Sequence, residues 1–152
     1  MKASELMIGD WVKIKGHLDY DKVREIARDE SMQWYISFAC SATLFRAYEF
    51  EPVTLTPEIL EKNGFSPETF LTAEWEKKVY FKEFPGCVVE PDNSGKYIFG
   101  TTIYWNKTDS DGSPIDWGTM YNSRIYNLQY VHELQHALRL CGLDELADNF
   151  KI

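Results

Sequence analysis

Near the C-terminal end of the chain stands His132-Glu133-Leu134-Gln135-His136, the stretch whose residue types and spacing could do chemistry. On a helix, histidines at i and i+4 stand one above the other, close enough for both imidazoles to bind one Zn²⁺. A glutamate just after the first histidine then reaches the metal-bound water and takes its proton as a general base. The pattern H-E-x-x-H therefore spells a zinc-dependent peptidase, with His132 and His136 as metal ligands and Glu133 as the catalytic base. A catalytic zinc also needs a third protein ligand and an open fourth position. Only 16 residues follow His136, and none is a histidine. The carboxylates left to complete the site are Asp144, Glu145 and Asp148, on or near a reversal at Gly142. No glycine stands three residues after His136, so the extended metzincin pattern is broken.

The helix that must carry this motif is read over 123–141, with Gly142 as its left-handed stop. At 100° per residue, Val131, Leu134, Leu138 and Cys141 fall within about 80° of one another and form an apolar stripe. His132 and His136 lie on the other side of the wheel, which suits a cleft or a solvated surface. Upstream, the first 54 residues read as β structure. Trp11 to Lys15 and Lys22 to Ile26 alternate apolar and polar residues, Gln33 to Phe38 is aromatic and β-branched, and Phe45 to Val53 is strand-like. Short strands joined by tight turns point to a small SH3-like β-barrel over 1–54. A short helix follows over 57–63, with Thr56 as N-cap, Pro57 in the first turn, Glu58 at the positive end of the dipole and Gly64 as the stop. Residues 73–105 alternate again between strong turn signals, as an antiparallel β-meander does. The expected fold class is α+β: an N-terminal barrel module over 1–54, then an α+β portion over 55–152 with flanking helices.

Composition bounds the function classes. The chain has 152 residues, 44% hydrophobic and 15% aromatic, enough for a packed core and too many for disorder. No apolar run reaches the roughly 18 residues a membrane span needs, and no long apolar stretch precedes Gly9-Asp10, so neither a membrane partner nor a signal peptide is expected. Sixteen Lys+Arg against 24 Asp+Glu leave a net charge of −8. Residues 1–54 carry 7 basic and 9 acidic side chains and residues 55–152 carry 9 and 15, so neither part has the basic excess that nucleic acid requires. The three cysteines, Cys40, Cys87 and Cys141, show no metal or disulfide spacing and read as free thiols of a cytoplasmic protein.

Other clusters carry weaker chemistry. Asp109-Ser110-Asp111-Gly112-Ser113 lacks the remaining ligands of a calcium loop and reads as a polar turn. Trp11, Trp34 and Tyr35 are the aromatic residues from which a small barrel would build a peptide-recognition groove. Tyr97, Phe99, Tyr104, Trp105 and Trp117 read as meander core. Cys141 lies on the apolar stripe, away from His136, which disfavours a Cys/His nucleophile.

Three islands of sequence stand out: Ala3 to Val12, Phe50 to Glu58 with Asn63-Gly64-Phe65, and Leu128 to Gln135. Together they resemble a family of small uncharacterised proteins found in Bacteroidetes genomes and their phages or mobile elements. The resemblance covers about a third of the chain and brings no activity, substrate or cofactor. It implies a His-Gln-Leu-Gln-Asn reading at 132–136, which would make Glu133 and His136 variable positions on a helix surface. The expectation that follows is a soluble, phage- or mobile-element-related protein that works without a cofactor, as a non-enzymatic module for protein contacts. The competing expectation is a minimal zincin-like metallopeptidase using zinc.

Overall fold

The computed structural model describes residues 5–17, 19–39, 41–46, 49–71, 76–82, 86–108 and 114–152. The chain folds as two compact units, one of residues 1–56 with 129–152 and one of residues 57–128. It is an α+β protein, with two antiparallel five-stranded sheets and three short helices among the described residues.

In the first unit the strands are β1 (Trp11–Ile14), β2 (Tyr20–Arg28), β3 (Trp34–Phe38), β4 (Ser41–Arg46) and β5 (Phe50–Pro52), paired in the order β4-β3-β2-β1-β5. Alternation places one set of side chains inward. Val12, Val23, Ile36, Phe38 and Phe50 are buried together with Leu6, and Ile14, Ile26, Trp34 and Phe45 pack against them. Phe38 anchors the cluster, 5.2 Å from Phe45 and edge-on to Phe50. The stretch read as one strand over Phe45–Val53 is two, β4 ending at Arg46 and β5 starting at Phe50, with the Glu49 carboxylate accepting the Arg46 N–H at 2.5 Å.

The chain leaves this unit after Thr56 and returns at Gln129, and the departing and returning segments are bonded to each other. Val131 N–H donates to Val53 O, Leu55 N–H donates to Gln129 O, and Thr54 bridges Tyr130. The return delivers α2 (Val131–Leu140) and α3 (Asp144–Asp148). The helix expected over 123–141 is therefore shorter, and residues 114–128 are a strand instead. Their aromatic, Thr and Ile content suits a ladder, and pairing with a neighbouring strand from Ser123↔Thr101 to Leu128↔Tyr97 claims the backbone bonds a helix would need. Asn127, at φ 63°, turns the chain out of that strand before the helix starts.

The second unit opens with α1 (Pro57–Lys62) and ends on Leu128. Gly64, at φ 78°, stops α1 as expected, and Leu60 and Phe65 are buried while Ile59 is half-buried. The meander is longer than 73–105. It comprises β6 (Ser66–Leu71), β7 (Glu76–Lys82), β8 (Cys87–Pro91), β9 (Tyr97–Thr108) and β10 (Pro114–Leu128), each paired with the next. Val79, Tyr80, Cys87, Val89, Tyr97 and Phe99 are buried within it.

Candidate functional site

The residues of the histidine motif converge with a turn more than 120 positions earlier in the chain. Gly9 adopts φ 89°, which only glycine takes without strain, and the turn it makes aims the Asp10 side chain inward. The Asp10 carboxylate is fully buried and surrounded by donors. Its Oδ2 accepts Met7 N–H at 2.7 Å and lies 2.7 Å from His136 Nε2, while its Oδ1 accepts Arg139 Nη1–H at 2.8 Å. A buried carboxylate is tolerated only with such partners. An ionised carboxylate accepts and cannot donate, so the contact fixes the His136 proton on Nε2. Arg139 also donates to Asp148 Oδ1 at 3.1 Å, linking α2 to α3. Partial burial works against its guanidinium charge, and the hydrogen bonds to Asp10 and Asp148 more than offset this, so its pKa lies above the ordinary value.

Gln135, one turn before Arg139, is a second bridge. It is fully buried, its Oε1 accepts Trp11 N–H at 3.1 Å, and its Nε2 donates to Gly9 O at 3.1 Å and Ala147 O at 2.9 Å. One amide thus satisfies backbone groups of the turn, of β1 and of α3, which apolar packing alone would leave unpaired. Trp11 completes the tie by donating Nε1–H to Phe150 O at 2.7 Å, and Lys22 Nζ donates to Asp148 O.

Glu133 is held at the start of α2. Its Oε2 accepts the N–H groups of Gln129 at 2.6 Å and Tyr130 at 3.0 Å, so the carboxylate satisfies backbone donors ahead of the helix, beside the positive end of its dipole. His132 is 4% exposed, stacked on Tyr130 at 5.8 Å with rings 9° from parallel, and its Nδ1 has no hydrogen-bond partner among the described residues. Burial pushes its pKa below the usual imidazole range. The carboxylates of Asp10, Glu133 and Glu5 work in the opposite direction, and His136 adds to the lowering.

The structure thus brings His132 and His136 to 5.8 Å between ring centroids, edge to face. It does not place them on a solvated face: α2 buries Val131, His132, Leu134, Gln135, Ala137 and Leu138, and His136 faces Asp10. Of the carboxylates that could complete a zinc site, Asp148 is paired with Arg139, and Asp144 and Glu145 lie in the first turn of α3. Among the described residues no group of three or more His, Cys, Asp or Glu side chains has the geometry to hold a metal ion. The Asp109–Ser113 loop and Cys40 lie outside the described residues. Cys87 is a buried thiol and Cys141 a half-buried one, with burial pushing the Cys141 pKa up.

The aromatic candidates are separated. Trp11 pairs with Lys22 at one end of β2 and Trp34 pairs with Arg28 at the other. Six residues of strand set them about 20 Å apart. Trp34 lies under the Arg28 guanidinium at 3.9 Å and packs on the core, and Tyr35, the next residue, falls on the opposite face of β3. Asp10, Gln135 and Arg139, which organise the site, were not legible as site residues, since their partners come together only in three dimensions. No protein-family model, curated protein or solved structure matches the chain.

Proposed function

We propose that the chain is a non-enzymatic protein-interaction module, phage- or mobile-element-related and acting in the cytoplasm of a bacterial or infected cell, whose histidine motif serves the fold. The observation that carries this reading is the use of the motif's polar side chains. Glu133 caps α2, Gln135 bridges three backbone groups, and His136 is committed to the buried Asp10. A general base must be free to reach a metal-bound water, and a ligand nitrogen must offer a lone pair. Here the Glu133 oxygen that caps the helix and the His136 Nε2 that faces Asp10 are engaged in the fold, which leaves His136 only Nδ1 for a metal.

The order β4-β3-β2-β1-β5, with a nine-residue β2 that carries a register shift between Val23 and Glu25, supports reading the first unit as an SH3-like barrel. Tyr35, on the face of β3 opposite the core-packed Trp34, then marks the recognition surface, with Trp11 serving as a tie to the C-terminal residues. A protein partner fits the net charge of −8 better than nucleic acid. Among the described residues no helix is long and apolar enough to cross a membrane. The reading by zinc rests on the closeness of His132 and His136. It requires His136 to bind through Nδ1 or to release Asp10, Glu133 to turn from the helix cap, and a third ligand to move in.

The test is a peptidase assay on the full chain with added zinc, beside Glu133→Gln. The proposal expects no cleavage that depends on Glu133. Cleavage abolished by Glu133→Gln, with the fold intact, overturns it.

A further inference from the structure

Each side chain that ties the C-terminal segment to the first unit has one contact with the body of that unit and another with the segment. Arg139 donates Nη1–H to Asp10 and Nη2–H to Asp148 Oδ1. Gln135 is fixed by Trp11 N–H and Gly9 O, and donates to Ala147 O as well. Trp11 stands in β1, paired with Lys22 of β2, and donates Nε1–H to Phe150 O. Lys22 Nζ lies 5.2 Å from the Trp11 ring centroid and donates to Asp148 O. The carbonyls of Ala147, Asp148 and Phe150 and the Asp148 carboxylate are therefore read by groups that the rest of the unit already holds. The Ala147 and Phe150 side chains are buried beside them.

The segment brings little order of its own. α3 has five residues, far below the roughly 12–15 that an isolated helix needs. Its N-cap is Leu143, whose side chain cannot accept a hydrogen bond, and Gly142 before it is exposed at φ 74°. The last carbonyls of α3 take hydrogen bonds from outside the helix, Ala147 O from Gln135 and Asp148 O from Lys22. The seat, by contrast, is built without the segment. When residues 143–152 leave, Arg139 keeps Asp10, and Gln135 keeps Trp11 N–H and Gly9 O. A strap that is ordered by its seat, on a seat that is already in place, stands to it as a peptide to a receptor.

We propose that Trp11, Lys22, Gln135 and Arg139 form a peptide-recognition seat, which residues 147–150 occupy in the free chain and from which a partner segment of the same chemistry displaces them. That segment carries a small residue, a carboxylate directly after it, and an aromatic residue two positions further, as Ala147, Asp148 and Phe150 do. Local opening of the strap admits it. Lys22 and Arg139 place two cations at the seat, so an acidic segment is selected there even though the whole chain carries −8. Tethering holds the chain's own strap at an effective concentration in the millimolar range, so the seat stays closed to weak competitors. This seat serves the interaction module proposed above and rests on that reading, whose own failure shows as Glu133-dependent cleavage and leaves peptide binding untouched.

The test is binding of a labelled peptide of residues 143–152 to the full chain, read by fluorescence anisotropy. Phe150→Ala removes the buried ring of the strap. This chain, with far-ultraviolet circular dichroism like that of the wild type, takes the peptide at least about tenfold more tightly than the wild type does. The peptide carrying Asp148→Lys sets an ammonium against Arg139 and binds at least about tenfold more weakly. Amide exchange of the unaltered full chain gives a second readout that does not depend on how Phe150→Ala folds. The N–H groups of Ala147, Asn149 and Phe150 exchange through a local opening that leaves Val131–Leu140 protected. A folded Phe150→Ala chain that binds no peptide, binding indifferent to Asp148→Lys, or amides at 147–150 that exchange only together with those of α2 overturns the proposal.

Discussion

Gln135 offers the sharpest perturbation, because its side chain is fully buried and bonded at both amide atoms. Gln135→Ala strands Trp11 N–H and Gly9 C=O in the interior and leaves Ala147 C=O with the Phe150 N–H alone. A buried group left without its partner costs about 1–3 kcal/mol, and water entering the space vacated by the side chain recovers part of it. Two groups at the low end give a loss of about 2 kcal/mol. Gln135→Leu, which fills the space and keeps water out, costs more, about 4–5 kcal/mol. Against a typical total of 5–15 kcal/mol, either loss is large. Urea unfolding of the full chain measures it, with amide exchange of 131–140 locating the loss in the first unit, since the two units need not unfold together. If Gln135→Leu were as stable as the wild type, or if Gln135→Ala cost under about 1 kcal/mol, the bridging role assigned to this amide would be wrong.

Three further outcomes follow from the same site. Glu133→Ala removes the acceptor of the Gln129 and Tyr130 N–H groups, and should cost about 1 kcal/mol, read as a melting point of the first unit lower by roughly 4–8 °C. His132 is held neutral by burial, so its folded-state pKa is below its unfolded value of 6.5 and the unfolded chain takes up the proton first. Its contribution is whole above pH 6.5 and is lost as pH falls from there toward the folded pKa, at no more than about 1.4 kcal/mol per pH unit. Urea unfolding from pH 7.5 down to pH 5 should show this slope in the wild type and a shallower one in His132→Asn. Gly9→Ala meets a backbone at φ 89° and a Cβ position 2.9 Å from Arg139 Nη2, and should cost at least about 1 kcal/mol by displacing the guanidinium from Asp10, measurable by thermal melting.

Much of the fold is written in local patterns. The alternation at Trp11–Ile14 and at Trp34–Phe38 and the Pro57-to-Gly64 helix are short-range signals, and the structure has them where those signals place them. The run from Pro114 to Leu128 misleads because its last residues also fit a helical stripe. Only the long-range ladder with β9 decides in favour of a strand. The histidine motif misleads in another way. Its spacing is legible, but what occupies its atoms is not. Asp10 reads as a polar turn residue after a glycine, and nothing near it in sequence announces that it will be buried against His136 and Arg139, 126 and 129 positions away. Gln135 looks like an idle x in the motif and is among the most heavily bonded side chains of the first unit.

At the centre is the role of this motif in holding the first unit together. Elemental analysis of tag-free full chain, after incubation with excess zinc and removal of free metal, tests it most directly beside His136→Ala. The expected result is no stoichiometric zinc in either protein, and a His136→Ala variant that is less stable because Asp10 has lost a partner. About one zinc per chain in the wild type, absent from His136→Ala, would contradict it.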